Sequence, residues 1–343
     1  MSGPPLSTAP GDTRLRRWGR RLVTVPACLG ALAVFAALYL LTLIPVLALD
    51  LALRRRLAAL RFLTAVLLYL SFEVLGVAWM GALFLTGRAT QERLLRVECF
   101  WSTAMLGLQL RLFGMKLEVL GLEAARPGPL IVMGNHTSVA DVLIPATLVT
   151  GRQGIRLRYV AKLELIWDPC VDLAGHWLPN VFVRRGSADT PGDVARVQRL
   201  LEGLGPQDGV FVYPEGTRYT PERREKVLAA RAAEGAARLE RDRRLRHLLP
   251  PRLGGVLGLF EKNPGADVLL FGQVGLEGVR RIPDLWNGVL IGRTLRVEFW
   301  RRPWAEVPAG REGRIEWLYR EWERLDDWLE RQKAPLAPGP AGR

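Results

Sequence analysis

The segment Asn135-His136-Thr137-Ser138-Val139-Ala140-Asp141 follows a short apolar run and brings an imidazole and a carboxylate within five residues. Five residues of α-helix turn through roughly 500°, so the two side chains cannot share a helix face. The spacing works if His136 lies in the turn before a helix, with Ser138 as its N-cap and Asp141 at its third position. Helical side chains lean toward the N-terminus, which aims Asp141 back at His136. A carboxylate on one imidazole nitrogen fixes the tautomer and raises the basicity of the other, the requirement for a general base acting on an alcohol. Ser138-x-x-Asp141 is equally a capping pattern, so Asp141 acting only as a cap stays open. His176 and His247 are the competing bases, and neither has an acid at this spacing.

Two further sets of polar residues each follow an apolar run. Val181-Phe182-Val183 leads into Arg184-Arg185, and an arginine fork suits a phosphate group. Phe211-Val212-Tyr213 leads into Pro214-Glu215-Gly216-Thr217-Arg218. Here Gly216 permits close backbone approach, Arg218 offers a charge for phosphate, and Glu215 either fixes that arginine or holds a substrate hydroxyl. Strand ends placed side by side bring all three sets to one edge of a sheet. No Gly-rich phosphate loop, metal-ligand cluster or Gly-x-Ser-x-Gly turn competes with them.

The elements that must position these groups alternate between strand and helix patterns, which predicts an α/β fold. Strands are expected at Lys116–Val119, Leu130–Met133, Arg158–Ala161, Val181–Val183, Val210–Tyr213, Val268–Val274 and Leu295–Trp300. Between two of them, Asp193 is expected to cap a helix carrying Val194, Val197, Leu200 and Leu201 on one face. Leu94 to Leu112 reads as an amphipathic helix, either at a membrane surface or covering the domain. Residues 219–252 are dense in charge and read as a solvated helical insertion, and the stretch after Lys333 reads as a loose tail.

Ahead of this domain, Leu22 to Leu49 carry no charge, and Phe62 to Leu85 carry only Glu73. Both runs are long enough for the roughly 20 residues that cross a bilayer. They predict a two-segment membrane anchor over residues 22–90, behind a flexible basic tail at residues 1–21. Arg54, Arg55 and Arg56 sit between the two runs. Two full spans would translocate that cluster against the positive-inside tendency, whereas a re-entrant hairpin would not. Both remain open. The formal net charge of +14 with 49% hydrophobic residues excludes a disordered chain. It fits an anionic membrane face or polyanionic substrates. Nucleic-acid binding would need interleaved aromatics or a base-reading fold, and neither is visible. The three cysteines suit neither a disulfide framework nor a zinc site, so no metal is expected.

Taken together, Asn135-His136-Thr137-Ser138 with Asp141, Phe182-Val183-x-Arg185 and Pro214-Glu215-Gly216-Thr217-Arg218 resemble the motif blocks of the phospholipid/glycerol acyltransferases. Ala161-Lys162-Leu163-Glu164-Leu165 is similar to a stretch between the first two blocks, and features after Arg218 resemble the 1-acylglycerol-3-phosphate O-acyltransferase branch. The resemblance covers about residues 94–330. Its fourth block usually contains a proline, which Val268 to Leu276 lacks. The resemblance implies a mixed sheet flanked by helices, and direct acyl transfer from acyl-CoA or acyl carrier protein as co-substrate, without another cofactor. His136 and Asp141 would be catalytic, and Arg185, Arg218, Glu215, Gly216, Thr217 and Lys162 would bind substrate. The acceptor would be lysophosphatidate, with glycerol 3-phosphate, a lyso-ornithine lipid or another lysophospholipid as alternatives. The expected partners are membrane lipids, and the expected location is the cell inner membrane with the domain facing the cytoplasm.

Overall fold

The computed structural model describes residues 9–184, 190–232, 235–279 and 282–333. The segments that drew the expectation of a C-terminal tail after Lys333, and Arg185, lie outside them. Seven strands form one sheet in the order β1-β7-β6-β2-β5-β3-β4. They are β1 Lys116–Leu120, β2 Leu130–Gly134, β3 Arg156–Lys162, β4 Val181–Val183, β5 Asp208–Val212, β6 Asp267–Val274 and β7 Thr294–Arg302. Only β7 runs antiparallel to a neighbour, β6, and the remaining pairs are parallel. The sheet is therefore mixed, as expected.

Residues two apart on a strand face the same way, and the central strands bury both faces. Leu130 and Val132 of β2, Phe211 of β5 and Phe271 of β6 form one core layer. Helix α3 (Gln91–Leu112) and the helical run 139–152 cover it, the latter ending in a π-helix, Ala146–Arg152. Ile131, Met133, Val210, Val212 and Leu270 face the other way. Against them pack three helices: α5 (Pro191–Gln198), α8 (Leu253–Glu261) and α9 (Arg311–Lys333). At Gly134, where β2 ends, a Cβ would lie 2.3 Å from the Phe271 ring, so the strand carries a glycine there for lack of space. Asp193 is not the cap of α5. Thr190 caps it, and Asp193 lies at the third helical position, where its carboxylate accepts from the Thr190 hydroxyl at 3.1 Å.

Helices α1 (Arg14–Ala52) and α2 (Ala58–Leu85) are each long and apolar enough to cross a bilayer. They form an antiparallel hairpin whose turn is stabilised by Asp50. Its buried carboxylate accepts the first amides of α2, Ala59 at 3.3 Å and Leu60 at 2.9 Å. Both ends of the hairpin touch the α/β domain. At the turn, Arg61 donates to the Leu112 carbonyl, and Phe62 stacks edge-on against Trp286 at 6.0 Å.

At the opposite end the basic segment is not a free tail. From Arg14 it is helical, and Arg20 and Arg21 both bind Asp172 in α4 (Pro169–Gly175), Arg21 Nε at 2.6 Å. Asp12 joins the same cluster, binding Arg20 at 2.8 Å and His176 Nε2 at 2.8 Å. Burial alone would raise Asp172, but hydrogen bonds from His176, Arg21 and Arg20 outweigh it and hold the carboxyl below its ordinary range.

The charged stretch 219–252 also departs from expectation. It folds as α6 (Pro221–Ala232) and α7 (Ala236–Arg244), followed by a segment that is packed rather than solvated. Leu245, Leu248 and Leu249 are buried. Asp242 accepts from the Tyr319 hydroxyl at 2.8 Å, and Asp326 of α9 accepts the amides of Arg246 and His247 at 2.9 and 2.7 Å. Alternating charges along the segment hide this anchoring, because its partners lie about 80 residues downstream.

Candidate active site

Because β2, β5 and β3 run parallel and side by side, their C-terminal ends share one edge of the sheet. The residues that follow β2 and β5 meet there, beside the last residue of β3, Lys162.

His136 comes two residues after β2, in the turn before a short helix capped by Ser138, whose hydroxyl accepts the Ala140 amide at 3.3 Å. Asp141 is fully buried at the third position of that turn. Its Oδ2 accepts from His136 Nδ1 at 3.2 Å and from the amides of Thr137 and Ser138 at 2.5 and 2.8 Å. Capping and pairing with His136 are thus done by one oxygen at once. The bond fixes the proton on Nδ1 and leaves Nε2 as the lone-pair nitrogen. Oδ1 of Asp141 is buried and makes no hydrogen bond among the described residues.

The imidazole lies flat on Tyr213, with ring centroids 4.2 Å apart and planes 13° from parallel. Burial lowers the His136 pKa from its ordinary value, against the pull of Asp141, and the charges of Lys162 and Arg218 push it further down. The lowered pKa favours the neutral imidazole, the form able to take a proton.

Glu215 has a different place from the one its motif suggested. It is buried, and its two oxygens accept backbone amides, His136 at 2.8 Å and Leu249 at 2.9 Å. Burial pushes it up to about 8, opposed by those two hydrogen bonds. It positions the histidine's backbone. Tyr219 adds a second tie by donating its amide to the His136 carbonyl at 2.6 Å. Gly216 adopts a left-handed φ of 65°, and a Cβ there would lie 2.7 Å from Arg252, so the turn needs glycine on both counts. Gly216, Thr217 and Arg218 follow on the same edge, and Arg185 lies outside the described residues.

Two contributors escaped the sequence. Tyr213 carries the histidine ring, and Gln273 of β6 organises the turn. Asn135 pairs with the Gln273 backbone through both amide atoms, at 2.8 and 3.0 Å, and Gln273 Nε2 donates to the Thr137 hydroxyl at 2.7 Å. A glutamine inside an otherwise apolar strand was the available signal. The competing histidines do have acids, one of them close in the chain: Asp172 lies four residues before His176, whereas Asp12 and Glu330 come from far away. His176 is locked between Asp12 and Asp172, and His247 contacts Glu330. His176 is 2% exposed, with both ring nitrogens bonded within this cluster. Among the described residues no cluster of His, Cys, Asp and Glu could hold a metal.

Residues 116–250 match the family model described as Acyltransferase, a stretch that contains His136, Asp141, Lys162, Glu215 and Arg218. The fold is similar to the crystal structure of the 1-acyl-sn-glycerophosphate (LPA) acyltransferase PlsC from Thermotoga maritima. That superposition has a TM-score of 0.56 and covers 83% of this chain and 99% of the other, at 17% identity.

Proposed function

We propose that this chain is an acyltransferase that moves a fatty acyl group from an acyl thioester to the sn-2 hydroxyl of 1-acylglycerol 3-phosphate, giving phosphatidic acid, a reading supported by the match of residues 116–250 to the Acyltransferase family model. The observation that carries the reading is the buried His136–Asp141 pair, whose histidine also feels the charges of Lys162 and Arg218. His136 Nε2 takes the hydroxyl proton as the oxygen attacks the thioester carbonyl, while Asp141 steadies the resulting imidazolium. Collapse of the tetrahedral adduct breaks the C–S bond, and the departing thiolate receives the same proton. The proton balance closes within the pair, without an acyl-enzyme. Arg218 and Lys162 provide positive charge for the acceptor's phosphate, and Arg185 is assigned there by its motif. The activity named for the similar crystal structure is the same, and the phosphate-binding cations favour this acceptor over one without a phosphate.

The deciding assay uses the purified full chain, labelled acyl-CoA or acyl carrier protein, and a panel of lyso-lipids and glycerol 3-phosphate. Label should appear in phosphatidic acid. Transfer to no member of the panel would overturn the assignment. Arg218→Ala should raise KM for the acceptor roughly 10–100-fold, the loss expected of a charge-assisted contact, and leave KM for the donor nearly unchanged.

The acidic limb of kcat/KM supplies a second check. A base works only when deprotonated, and His136 is held below its ordinary value of 6.5. Activity should therefore persist as pH falls through 6.5 and decline only below it. Asp141→Asn, which removes the imidazolium's partner, should move that limb to still lower pH. A limb above 6.5 would assign the proton transfer to another group.

Both ends of the hairpin contact one domain, which supports an anchor dipping into a membrane from one side, and we propose that this is the inner membrane with the domain on its cytoplasmic face. Single cysteines in place of Arg16 and Arg55 should react with an impermeant maleimide from the same side of oriented vesicles. Labelling from opposite sides would restore two full spans.

A further inference from the structure

The tyrosine on which the His136 ring lies at 4.2 Å is itself held in place. Phe211, two residues earlier and on the same side of the chain, meets the Tyr213 ring edge-on at 4.6 Å and 84°. Phe211 is in turn stacked on Phe271 of β6 at 6.1 Å and met edge-on by Tyr159 of β3 at 5.7 Å. A row of rings anchored on β3, β5 and β6 thus ends under the imidazole. The site uses the face of the last ring and not its polar tip, because the Tyr213 hydroxyl is buried without a hydrogen-bond partner among the described residues. Burial, with Asp141, Tyr159 and Glu215 adding to it, keeps the phenol well above its ordinary range, so the ring stays neutral.

Asp141 alone leaves the imidazole one freedom. Its bond to Nδ1 fixes the tautomer, but one contact on one edge does not stop the ring plane from turning about that bond. A flat surface beneath the ring does. It sets the direction of the Nε2 lone pair, which must lie along the line to the incoming hydroxyl for proton transfer. The face also discriminates between charge states. An aromatic face carries partial negative charge, so it attracts an imidazolium more strongly than a neutral imidazole. Burial and the charges of Lys162 and Arg218 disfavour the cation, and Glu215 holds the histidine's backbone amide. Asp141 favours the cation from the ring edge, and Tyr213 is placed to do so from the face. An interaction that strengthens as the proton arrives lowers the barrier to the transfer.

We propose that Tyr213 is a positioning residue for the transfer step, orienting the imidazole and stabilising the imidazolium that forms when His136 takes the acceptor's proton. The inference deepens the proposed chemistry and rests on His136 as its base. Phenylalanine would serve equally at this position, and an aliphatic side chain of similar volume would not.

The test reads the histidine directly, without turnover. The full chain carrying isotope-labelled histidine is titrated in detergent micelles by NMR, and the His136 signal is identified among those of the three histidines by its loss in His136→Ala. Tyr213→Leu should lower the His136 titration midpoint by about 0.4–1.5 pH units, the loss of one desolvated cation–π contact. Tyr213→Phe should keep the midpoint of the unaltered chain. Mono-, di- and trifluorinated phenylalanines at position 213 keep the ring's shape but withdraw electron density from its face, so the midpoint should fall step by step along that series. In the acyl-transfer assay kcat should fall in parallel, by about 2–30-fold for Tyr213→Leu, with KM for the acceptor nearly unchanged. A midpoint that stays flat across the fluorinated series, or that rises in Tyr213→Leu, would overturn the inference. So would a fall in kcat for Tyr213→Leu that the fluorinated series does not share, which would mark a packing role. The titrations stand whichever acceptor the enzyme takes, and a flat series leaves the acyl-transfer assignment intact.

Discussion

His136→Ala should lower acyl transfer by about 10²–10⁴-fold, the range for loss of a positioned general base. Asp141→Ala should fall in a similar range for a compound reason. Its Oδ2 fixes the imidazole tautomer and also holds the amides of Thr137 and Ser138, so the turn carrying His136 loosens when the carboxylate goes. Asp141→Asn separates the two contributions, since the amide oxygen still caps the turn but no longer carries charge for the imidazolium. The measurement is single-turnover transfer from acyl-CoA to lysophosphatidate by purified protein, with thermal unfolding recorded for each variant. Near-normal turnover by a folded His136→Ala protein would sink the proposed chemistry.

The second large effect is on stability, far from the reacting atoms. Asp172→Ala removes a fully buried carboxylate from two arginines and a histidine. Leaving Arg20 buried without that partner should cost about 3–5 kcal/mol. The change should appear as a lower unfolding temperature and as new protease cleavage near Arg20 and Arg21 where α1 detaches from α4. Asp172→Asn should cost less, because a polar partner remains. Acid should produce a graded version of the same effect. Asp12 is held down to about 2 by Arg20, Arg17 and His176 despite its burial, and Asp172 is also lowered. A lowered carboxyl stabilises the fold above its ordinary value of 3.8, so this contribution is lost as pH falls from there toward about 2.

The strands were legible because a central parallel strand must be apolar on both faces, and Leu130–Met133 and Val210–Tyr213 are apolar without a break. His136 and Asp141 were legible because their relation is local: one N-cap and one helical turn decide it. Long-range polar contacts were not. Nothing within Glu215's own neighbourhood indicates that its oxygens accept amides 79 residues before it and 34 residues after it. Asp12 and His176 are 164 residues apart, so no spacing rule could pair them. The misassigned cap at Asp193 has a simpler origin. Thr190 and Asp193 are both good capping residues three apart, and Pro191 at the first helical position favours Thr190 as the cap.

Glu215 also bears on how the chain tolerates change between residues 219 and 248. The ends of that stretch are pinned beside His136, at one side by the turn after β5 and at the other by the Leu249 amide. The entropy of closing a loop grows only with the logarithm of its length, about 0.6 kcal/mol for each doubling. Residues can thus be added or removed between α6 and α7 with little thermodynamic cost, provided both pinned ends are kept. The insertion is a segment in which length can drift over evolutionary time while the histidine stays where it is.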